Sequence, residues 1–416
     1  MSARFPVAAL FTWVLAASLY FFQYALRSAP SVMMPQLRDA FGVDALGVAA
    51  IVGMFYYGYS PFNLVAGAAI DRLGAKRTIP VGAALVGAGA LLFGTGHVGM
   101  AILGRFLQGA GGAFALVGAI YLAIRNFPPS HAAAFIGATQ MFGMAGGSAG
   151  QFFVGPLITG GLPWGSFWTY AGFAGLAICV SLVVLLPNQA RTVETRPGGF
   201  ASAVGPLKTV FSHPQSILCG LIAGLLFIPT TIFDMTWGVR YIQEARGREY
   251  DEAVRIAATV PLGWMIGCPL LGFISDRIGR RKPVILGGAL ALLAVFAWVL
   301  YGVPEIFRGP AVGILMGIAS GAAMLPTTVI KELHSAELSG SATGVVTFIN
   351  FTFSALLSPV FGHWLVKVSG GSDAMLLEHY QLAFKPMIAG IVVAAILTCL
   401  LKETGPAAQR IDQSAR

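Results

Sequence analysis

Charged side chains are scarce in this sequence, and that scarcity determines its class. Of the 416 residues only 10% are charged, whereas 56% are hydrophobic. Soluble domains carry about 25% charged residues, and a smaller share cannot cover so much apolar surface in water. A disordered chain is excluded as well, because such chains are poor in apolar residues. The composition therefore predicts an integral membrane protein.

Signatures of catalysis and of cofactor binding are also missing from the sequence. The four cysteines lie in apolar stretches without metal-ligand spacing, which predicts free thiols. No P-loop is present, so ATP does not drive the protein directly, and the glycines lack the strand-to-helix setting of a dinucleotide site. No nucleophile–base arrangement points to an enzyme. We therefore expect no cofactor, no metal and no catalysis.

Long apolar segments are what the sequence has in abundance. A membrane-spanning helix needs about 20 apolar residues, whereas strands of a membrane barrel alternate over about 10. The one long polar interruption predicts an N-terminal six-helix bundle (1–187), a cytoplasmic linker (188–213), a C-terminal six-helix bundle (214–404) and a cytoplasmic tail (405–416). The predicted spans are 7–34, 44–70, 78–96, 98–126, 132–157, 164–187, 214–242, 252–275, 283–302, 309–331, 339–368 and 382–402.

The net charge of +9 has two interpretations, nucleic-acid binding or basic loops on the cytoplasmic side of a membrane. The second is favoured, because the side that holds both termini collects twice as many Lys and Arg residues as the other. Arg4 precedes an apolar run from Val7 to Leu26 that is too long for a cleaved signal peptide. We expect a retained first helix, cytoplasmic termini and no nucleic-acid partner.

One loop sequence occurs twice. Gly67, Asp71 and Gly74 lie at the end of the second predicted span, and the same spacing of Gly, Asp and Gly recurs around Asp276 at the end of the eighth. In both copies, basic residues follow the second glycine. Two copies at equivalent points of two six-helix halves indicate an internal duplication.

These loops resemble the loop motif of the major facilitator superfamily of secondary transporters, and Arg105 with Gln108 and Gly109 is similar to that family's R-x-x-Q-G element. The resemblance implies an all-α membrane fold of twelve transmembrane helices in two six-helix bundles related by pseudo-twofold symmetry. It also implies alternating access. The residues it assigns to gating and conformational change are Asp71, Arg72, Arg77, Arg105, Asp276, Arg277 and Arg281.

A polar stripe runs along the first helix. Tyr20, Gln23, Tyr24 and Arg27 are spaced to line one face, and a charged group at membrane depth is a functional candidate. Arg27 offers a fork for a carboxylate or phosphate, or else pairs structurally with an acid. The segment is similar to the organic anion–cation symporter branch, whose helix-one Arg contacts the anionic substrate. Leu26 stands where that branch has an acid.

Asp234 is the acid that lies clearly within a predicted span, close to the position that the repeat equates with Arg27. It is either a protonation site that couples protons to transport, a partner of Arg27 in one conformation, a permanent structural ion pair, or a group already wet at the end of its helix. Other polar residues within spans either line the cavity or bond between helices. Those that we predict to contact the solute are Tyr56, Tyr59, Tyr121, Gln140, Trp237 and Asn350.

We therefore expect a secondary active transporter, by symport with protons, of a small organic anion or amino acid. The alternatives are a proton-coupled drug or metabolite exporter and a transporter-like sensor or assembly factor. The expected partners are a small-molecule solute, protons and the lipid bilayer. We expect a monomer in a bacterial inner membrane.

Overall fold

The computed structural model describes residues 7–127, 129–187, 201–303, 309–335, 338–370 and 375–405, and helices joined by short turns make up most of them. The chain divides into two compact units, Met1–Ala203 and Val204–Arg416. The boundary between the units falls inside the predicted linker 188–213. Residues 188–200 of that linker, and residues 406–416 of the predicted tail, lie outside the described residues.

The N-terminal unit contains eight described α-helices and one 3-10 turn, Ala29–Val32. The helices are α1 (Val7–Ser28), α2 (Met34–Phe41), α3 (Ala45–Leu73), α4 (Ala75–Phe93), α5 (Val98–Asn126), α6 (Pro129–Phe152), α7 (Val154–Thr159) and α8 (Trp164–Leu185). The short helix α2 was not predicted, because its mixture of polar and apolar residues reads as a loop between spans. It ends at Gly42, whose positive φ of 63° suits glycine.

The helix α9 (Ala201–Phe211) begins at the end of the first unit and continues into the second. It lies where the sequence predicted only a linker, so the linker is partly helical. The remaining helices belong to the C-terminal unit, with a π-helix at Pro229–Gly238 and a 3-10 turn at Gly321–Met324. They are α10 (Pro214–Ile228), α11 (Val239–Glu244), α12 (Tyr250–Ala257), α13 (Thr259–Ile278), α14 (Lys282–Tyr301), α15 (Ala311–Ser320), α16 (Leu325–Leu333), α17 (Ser339–Val368) and α18 (Leu377–Leu400).

Eleven of the described helical runs are long and apolar enough to cross a membrane. The other predicted span, 132–157, is helical as α6 followed by α7. The predicted total of twelve spans stays a prediction.

Apolar side chains on the outside of the molecule identify its solvent. On α8, Tyr170 is 65% exposed, Phe173 is 61% exposed and Val184 is 68% exposed. So large an apolar face is unfavourable in water but matches lipid chains. The chain is an integral membrane protein.

The first helix of the N-terminal unit packs closely against α6. A side-chain carbon at Gly146 would lie 2.0 Å from the carbonyl oxygen of Phe21, and one at Gly150 would lie 2.1 Å from that of Ala25. Glycine at these two positions lets the backbones approach, as small residues commonly do between helices in lipid. This close contact fixes the rotation of α1, and therefore which residues of α1 face the inside of the unit.

The sequence predicts two continuous helices, one in each unit, whose backbone hydrogen-bonding pattern changes partway along. Helix α1 gives way to the 3-10 turn Ala29–Val32, and α10 gives way to the π-helix Pro229–Gly238. Each change begins at or beside a proline, which has no backbone N–H to donate. Departures of this kind inside long helices frequently mark functional sites.

Candidate functional site

Arg27 lies at the end of α1, where it is 2% exposed and enclosed by aromatic rings. Its guanidinium carbon lies 4.7 Å from the ring centre of Tyr24, 4.8 Å from that of Tyr56 and 5.5 Å from that of Phe55. The ring of Tyr59 is 6.0 Å away. Arg27 also donates to the hydroxyl of Tyr56, over 3.4 Å from Nε and 3.3 Å from Nη2. Aromatic faces attract a cation and leave its in-plane N–H groups directed outward.

The other residues of the polar stripe predicted along α1 lie close to Arg27. Tyr20 packs against Tyr24 with ring centres 5.0 Å apart, and its hydroxyl donates to Gln140 Oε1 on α6 over 3.0 Å. Gln23 lies one turn before Arg27 and is 1% exposed. The structure thus brings the predicted residues of α1, α3 and α6 into one cluster, which we call the Arg27 cluster. Its members are Tyr20, Gln23, Tyr24, Arg27, Phe55, Tyr56, Tyr59 and Gln140.

Phe55 was not predicted as a member of this cluster. Its ring lies between two arginines, 5.5 Å from the guanidinium carbon of Arg27 and 5.1 Å from that of Arg105. A phenylalanine in an apolar span gives no sign of function in sequence. Its position next to Tyr56 on α3 is the only signal that could have found it.

Arg105 contacts the backbone of α1 next to the Arg27 cluster. It is 1% exposed, and its Nη1 donates to the carbonyl of Leu26 over 3.0 Å and to Gln108 Oε1 over 2.7 Å. Its Nη2 lies 3.5 Å from the carbonyl of Arg27, and its Nε donates to the carbonyl of Val52 over 3.3 Å. The last carbonyls of a helix lack partners within the helix, so Arg105 caps α1 where the regular helix ends.

Tyr121 and Arg125 lie elsewhere. Tyr121 is on α5, nine residues beyond Gly112, and its hydroxyl accepts a hydrogen bond from Arg125. The predicted role of Tyr121 in solute binding stays a prediction without support from this geometry.

In the C-terminal unit, Asp234 lies in the middle of the π-helix and is 2% exposed. Its Oδ2 has no hydrogen-bond partner among the described residues. Trp237, one turn later, is fully buried, and its indole N–H also lacks a described partner. Arg27 and Asp234 belong to different units, and their predicted pairing stays a prediction.

Hydroxyl groups hold this π-helix to its neighbours. Trp264 on α13 donates to Thr230 over 2.9 Å, Thr230 contacts Ser320 over 3.1 Å, and Thr231 contacts Ser354 on α17 over 3.0 Å. Asn350, on α17, is half-buried, and its Oδ1 has no described partner. The π-helix is therefore anchored at its first turn, while the turn that carries Asp234 lacks such bonds in the described part of the chain.

The loop motif of the C-terminal unit is an ion-pair network. Arg281 pairs with Glu332 on α16 at 2.7 Å and with Asp276, and it donates to Ser275 Oγ over 3.0 Å. Burial alone would lower the pKa of Arg281, but the hydrogen bonds to Glu332 and Asp276 outweigh it and raise the pKa above its ordinary value. Arg277 is exposed.

The segment after α18 joins this network. Glu403 accepts hydrogen bonds from the backbone N–H of Arg281 over 2.6 Å and of Lys282 over 3.3 Å, so it caps the start of α14. Thr404 donates to Glu332 over 2.7 Å. Neither glutamate was predicted, because their partners are far away in sequence.

The loop motif of the N-terminal unit is described only in part. The side chains of Asp71 and Arg72 lie outside the described residues, and Arg77 is exposed. The gating roles predicted for Asp71, Arg72 and Arg77 therefore stay predictions.

Known proteins resemble this chain along most of its length. A hexuronate transporter of Bacillus subtilis (strain 168) is 28% identical over 380 residues, which cover 85% of this chain and 87% of that protein. A probable galactarate/D-glucarate transporter of Escherichia coli (strain K12) is 24% identical over 408 residues, covering 86% of each.

Among solved structures, a bacterial homolog to the human lysosomal transporter Spinster has the same fold, with a TM-score of 0.75 at 16% identity. The match covers 96% of this chain and 98% of that one. The model of the Major Facilitator Superfamily matches residues 16–359. That range holds the Arg27 cluster and both copies of the loop motif, and the chain belongs to the major facilitator superfamily of transporters.

Proposed function

We propose that this protein is a secondary active transporter of a small organic anion, and that Arg27 binds the anionic group. The observation that carries the proposal is the environment of Arg27, whose fully buried guanidinium is surrounded by aromatic rings. A planar guanidinium matches the two oxygens of a carboxylate, and the low dielectric of the cluster strengthens such a bond. The acids named for the two relatives, a hexuronate and galactarate or D-glucarate, support this class of substrate.

The aromatic rings and Arg105 have a supporting role in this proposal. The rings stabilise the charge of Arg27 while no anion is bound, and Arg105 holds the carbonyl end of the helix turn that carries it. A binding group that is already in place loses little conformational entropy when the anion arrives.

We further propose that Asp234 exchanges the coupling proton. Burying an unpaired carboxylate is costly, so a change in water access to Asp234 would change whether it carries a proton. The π-helix supports this role, because π-helical turns inside long helices occur frequently at functional sites. Transport would follow alternating access, with both termini on the cytoplasmic side of a bacterial inner membrane and the monomer as the working unit.

Purified protein in liposomes tests the proposal. Labelled D-glucuronate and D-glucarate should accumulate inside when the outside is made more acidic, and the accumulation should collapse when a protonophore removes the gradient. Accumulation of the same acids when the inside is made more acidic would keep the substrate class and replace symport with antiport. If neither acid moves under any gradient, the proposal is wrong.

A further inference from the structure

Gln23 has an unusual environment for a buried amide. Its side chain is 1% exposed, yet neither Nε2 nor Oε1 has a hydrogen-bond partner among the described residues. Buried polar atoms are nearly always paired, and an amide with both ends unpaired needs a specific reason. Its neighbours on α1 differ, because Tyr20 donates to Gln140 and Arg27 donates to Tyr56.

The position of Gln23 connects it to the proposed anion site. Gln23 precedes Arg27 by four residues on α1, so the two side chains lie on the same face of the helix. On the other side, a side-chain carbon at Gly112 of α5 would lie 2.9 Å from Gln23 Oε1 and 3.4 Å from the ring of Tyr59. Any larger residue at position 112 would press on the amide, so Gly112 leaves the room that Gln23 occupies.

The chemistry of the amide defines what it can recognise. A carboxylate has only acceptors, so it would satisfy the N–H groups of Gln23 and repel its carbonyl oxygen. A hydroxyl both donates and accepts, and it can therefore pair with either end of the amide. Gln23 lies one helical turn from Arg27. The substrate group that fits it best is therefore a hydroxyl close to the carboxylate that Arg27 binds.

We infer that Gln23 hydrogen-bonds a hydroxyl of the substrate and makes the transporter select hydroxy acids over acids of equal charge and length that lack the hydroxyls. The inference rests on the proposed function, since it needs an anion at Arg27. In this inference Arg27 selects anions over neutral solutes, and Gln23 provides a second contact that selects one anion over another.

The test uses purified full-length protein and two matched pairs of probes. D-Glucarate and adipate are six-carbon dicarboxylates that differ only in hydroxyl groups, and D-gluconate and hexanoate form a monocarboxylate pair. The unmodified protein should bind the hydroxy acid of at least one pair about 10- to 100-fold more tightly, because a site built for a hydroxyl leaves its own polar groups unpaired with the other acid. In Gln23→Met, which keeps the approximate size, this preference should shrink to within about threefold. Binding of the acid without hydroxyls should be unchanged.

A stability measurement separates recognition from a structural role. Gln23→Met removes two unpaired buried polar atoms, so the ligand-free protein should melt at the same temperature or higher. A marked fall in melting temperature would show that the amide supports the fold, and it would overturn the inference. Gln381→Met serves as the control variant, because Gln381 is half-buried in the C-terminal unit and bonds to the carbonyl of Leu300. It should keep the preference of the unmodified protein.

The two proposals fail differently. If Arg27→Gln loses both members of each pair while Gln23→Met keeps the full preference, the role of Gln23 is wrong and the anion site stands. If Arg27→Gln binds all probes normally, the anion site is wrong and the inference falls with it. Binding of both members of each pair equally well by the unmodified protein also overturns the inference.

Discussion

Arg27 in the N-terminal unit and Asp234 in the C-terminal unit are both buried near a break in helical geometry, but their surroundings differ. Arg27 is surrounded by four aromatic rings, a phenolic hydroxyl and the capping Arg105. Asp234 has a carboxylate oxygen without a described partner, inside a π-helix.

The difference follows from the chemistry of the two groups. An arginine stays charged at every physiological pH, so a buried one needs permanent stabilisation. A carboxylic acid can accept a proton and become neutral, so it can be buried without a partner. This difference supports the proposals made above, a fixed binding charge at Arg27 and a switchable charge at Asp234.

The largest effect is expected for Arg27. Arg27→Gln removes the positive charge, and binding of D-glucarate should weaken by about 100-fold or more, since hydrogen bonds between charged groups contribute about 1.5–3 kcal/mol each. Arg27→Lys keeps the charge but loses the fork, so part of the affinity should remain. Isothermal titration with purified protein measures both. Equal affinity in the two variants and the unmodified protein would remove Arg27 from the site.

Asp234→Asn tests the switchable charge. The amide cannot take up and release the proton, so uphill accumulation of anion in liposomes should fall at least tenfold. Exchange of anion across the membrane at equal concentrations should stay within about twofold, because exchange needs no net proton movement. Uphill accumulation that matches the unmodified protein would show that the coupling proton binds elsewhere and that Asp234 is not the switchable charge.

Arg105→Lys tests whether the end of α1, which carries Arg27, depends on the hydrogen bonds from Arg105. Lysine cannot reach the carbonyls of Leu26 and Val52 together, and leaving buried acceptors unpaired should destabilise the protein by about 1–3 kcal/mol. The melting temperature should fall, while the surviving folded protein keeps the preference for anions. An unchanged melting temperature would contradict the capping role.

Glu332→Gln probes the ion-pair network of the C-terminal unit. Arg281 is largely buried and Glu332 is only partly so, and the loss of the pair should destabilise the protein by about 1 kcal/mol. High salt should reduce the effect only modestly, because a partly buried pair is screened less than an exposed one. Identical melting curves for Glu332→Gln and the unmodified protein at low salt would show that the pair contributes nothing.

The smallest effect concerns His334, which follows α16. Burial, together with the nearby His213, lowers the pKa of His334 below its ordinary value, and its Nε2 lies 2.9 Å from Ser216 Oγ. A lowered pKa means that folding favours the neutral ring, so this contribution is present above about pH 6.5 and is lost as the pH falls through the pKa of the folded protein. His334→Gln should therefore flatten the pH dependence of the melting temperature below pH 6.5. A curve as steep as before would assign the dependence to other groups.

Sequence periodicity found much of the fold and part of the site. The predicted span 98–126 matches α5, and 339–368 matches α17, because apolar length alone defines a helix in lipid. The stripe from Tyr20 to Arg27 was found because residues three and four apart share a helix face. The sequence did not predict that Phe55 would share in holding Arg27.

Other features depend on contacts that no local pattern encodes. The 3-10 turn after α1 and the π-helix after α10 differ from the α-helix in hydrogen bonding and not in hydropathy, and only Pro30 and Pro229 marked them. Glu332 and Glu403 reach Arg281 across 51 and 122 residues of sequence. Side chains that meet through the fold, rather than along one helix, were out of reach of spacing arguments.

A structure of the protein with D-glucarate or D-glucuronate bound would show directly whether Arg27 binds the anion. We expect a carboxylate group within hydrogen-bond distance of the Arg27 guanidinium, beside the rings of Tyr24 and Tyr56. An acid bound elsewhere in the molecule, with Arg27 in its present contacts and untouched by the ligand, would contradict this expectation.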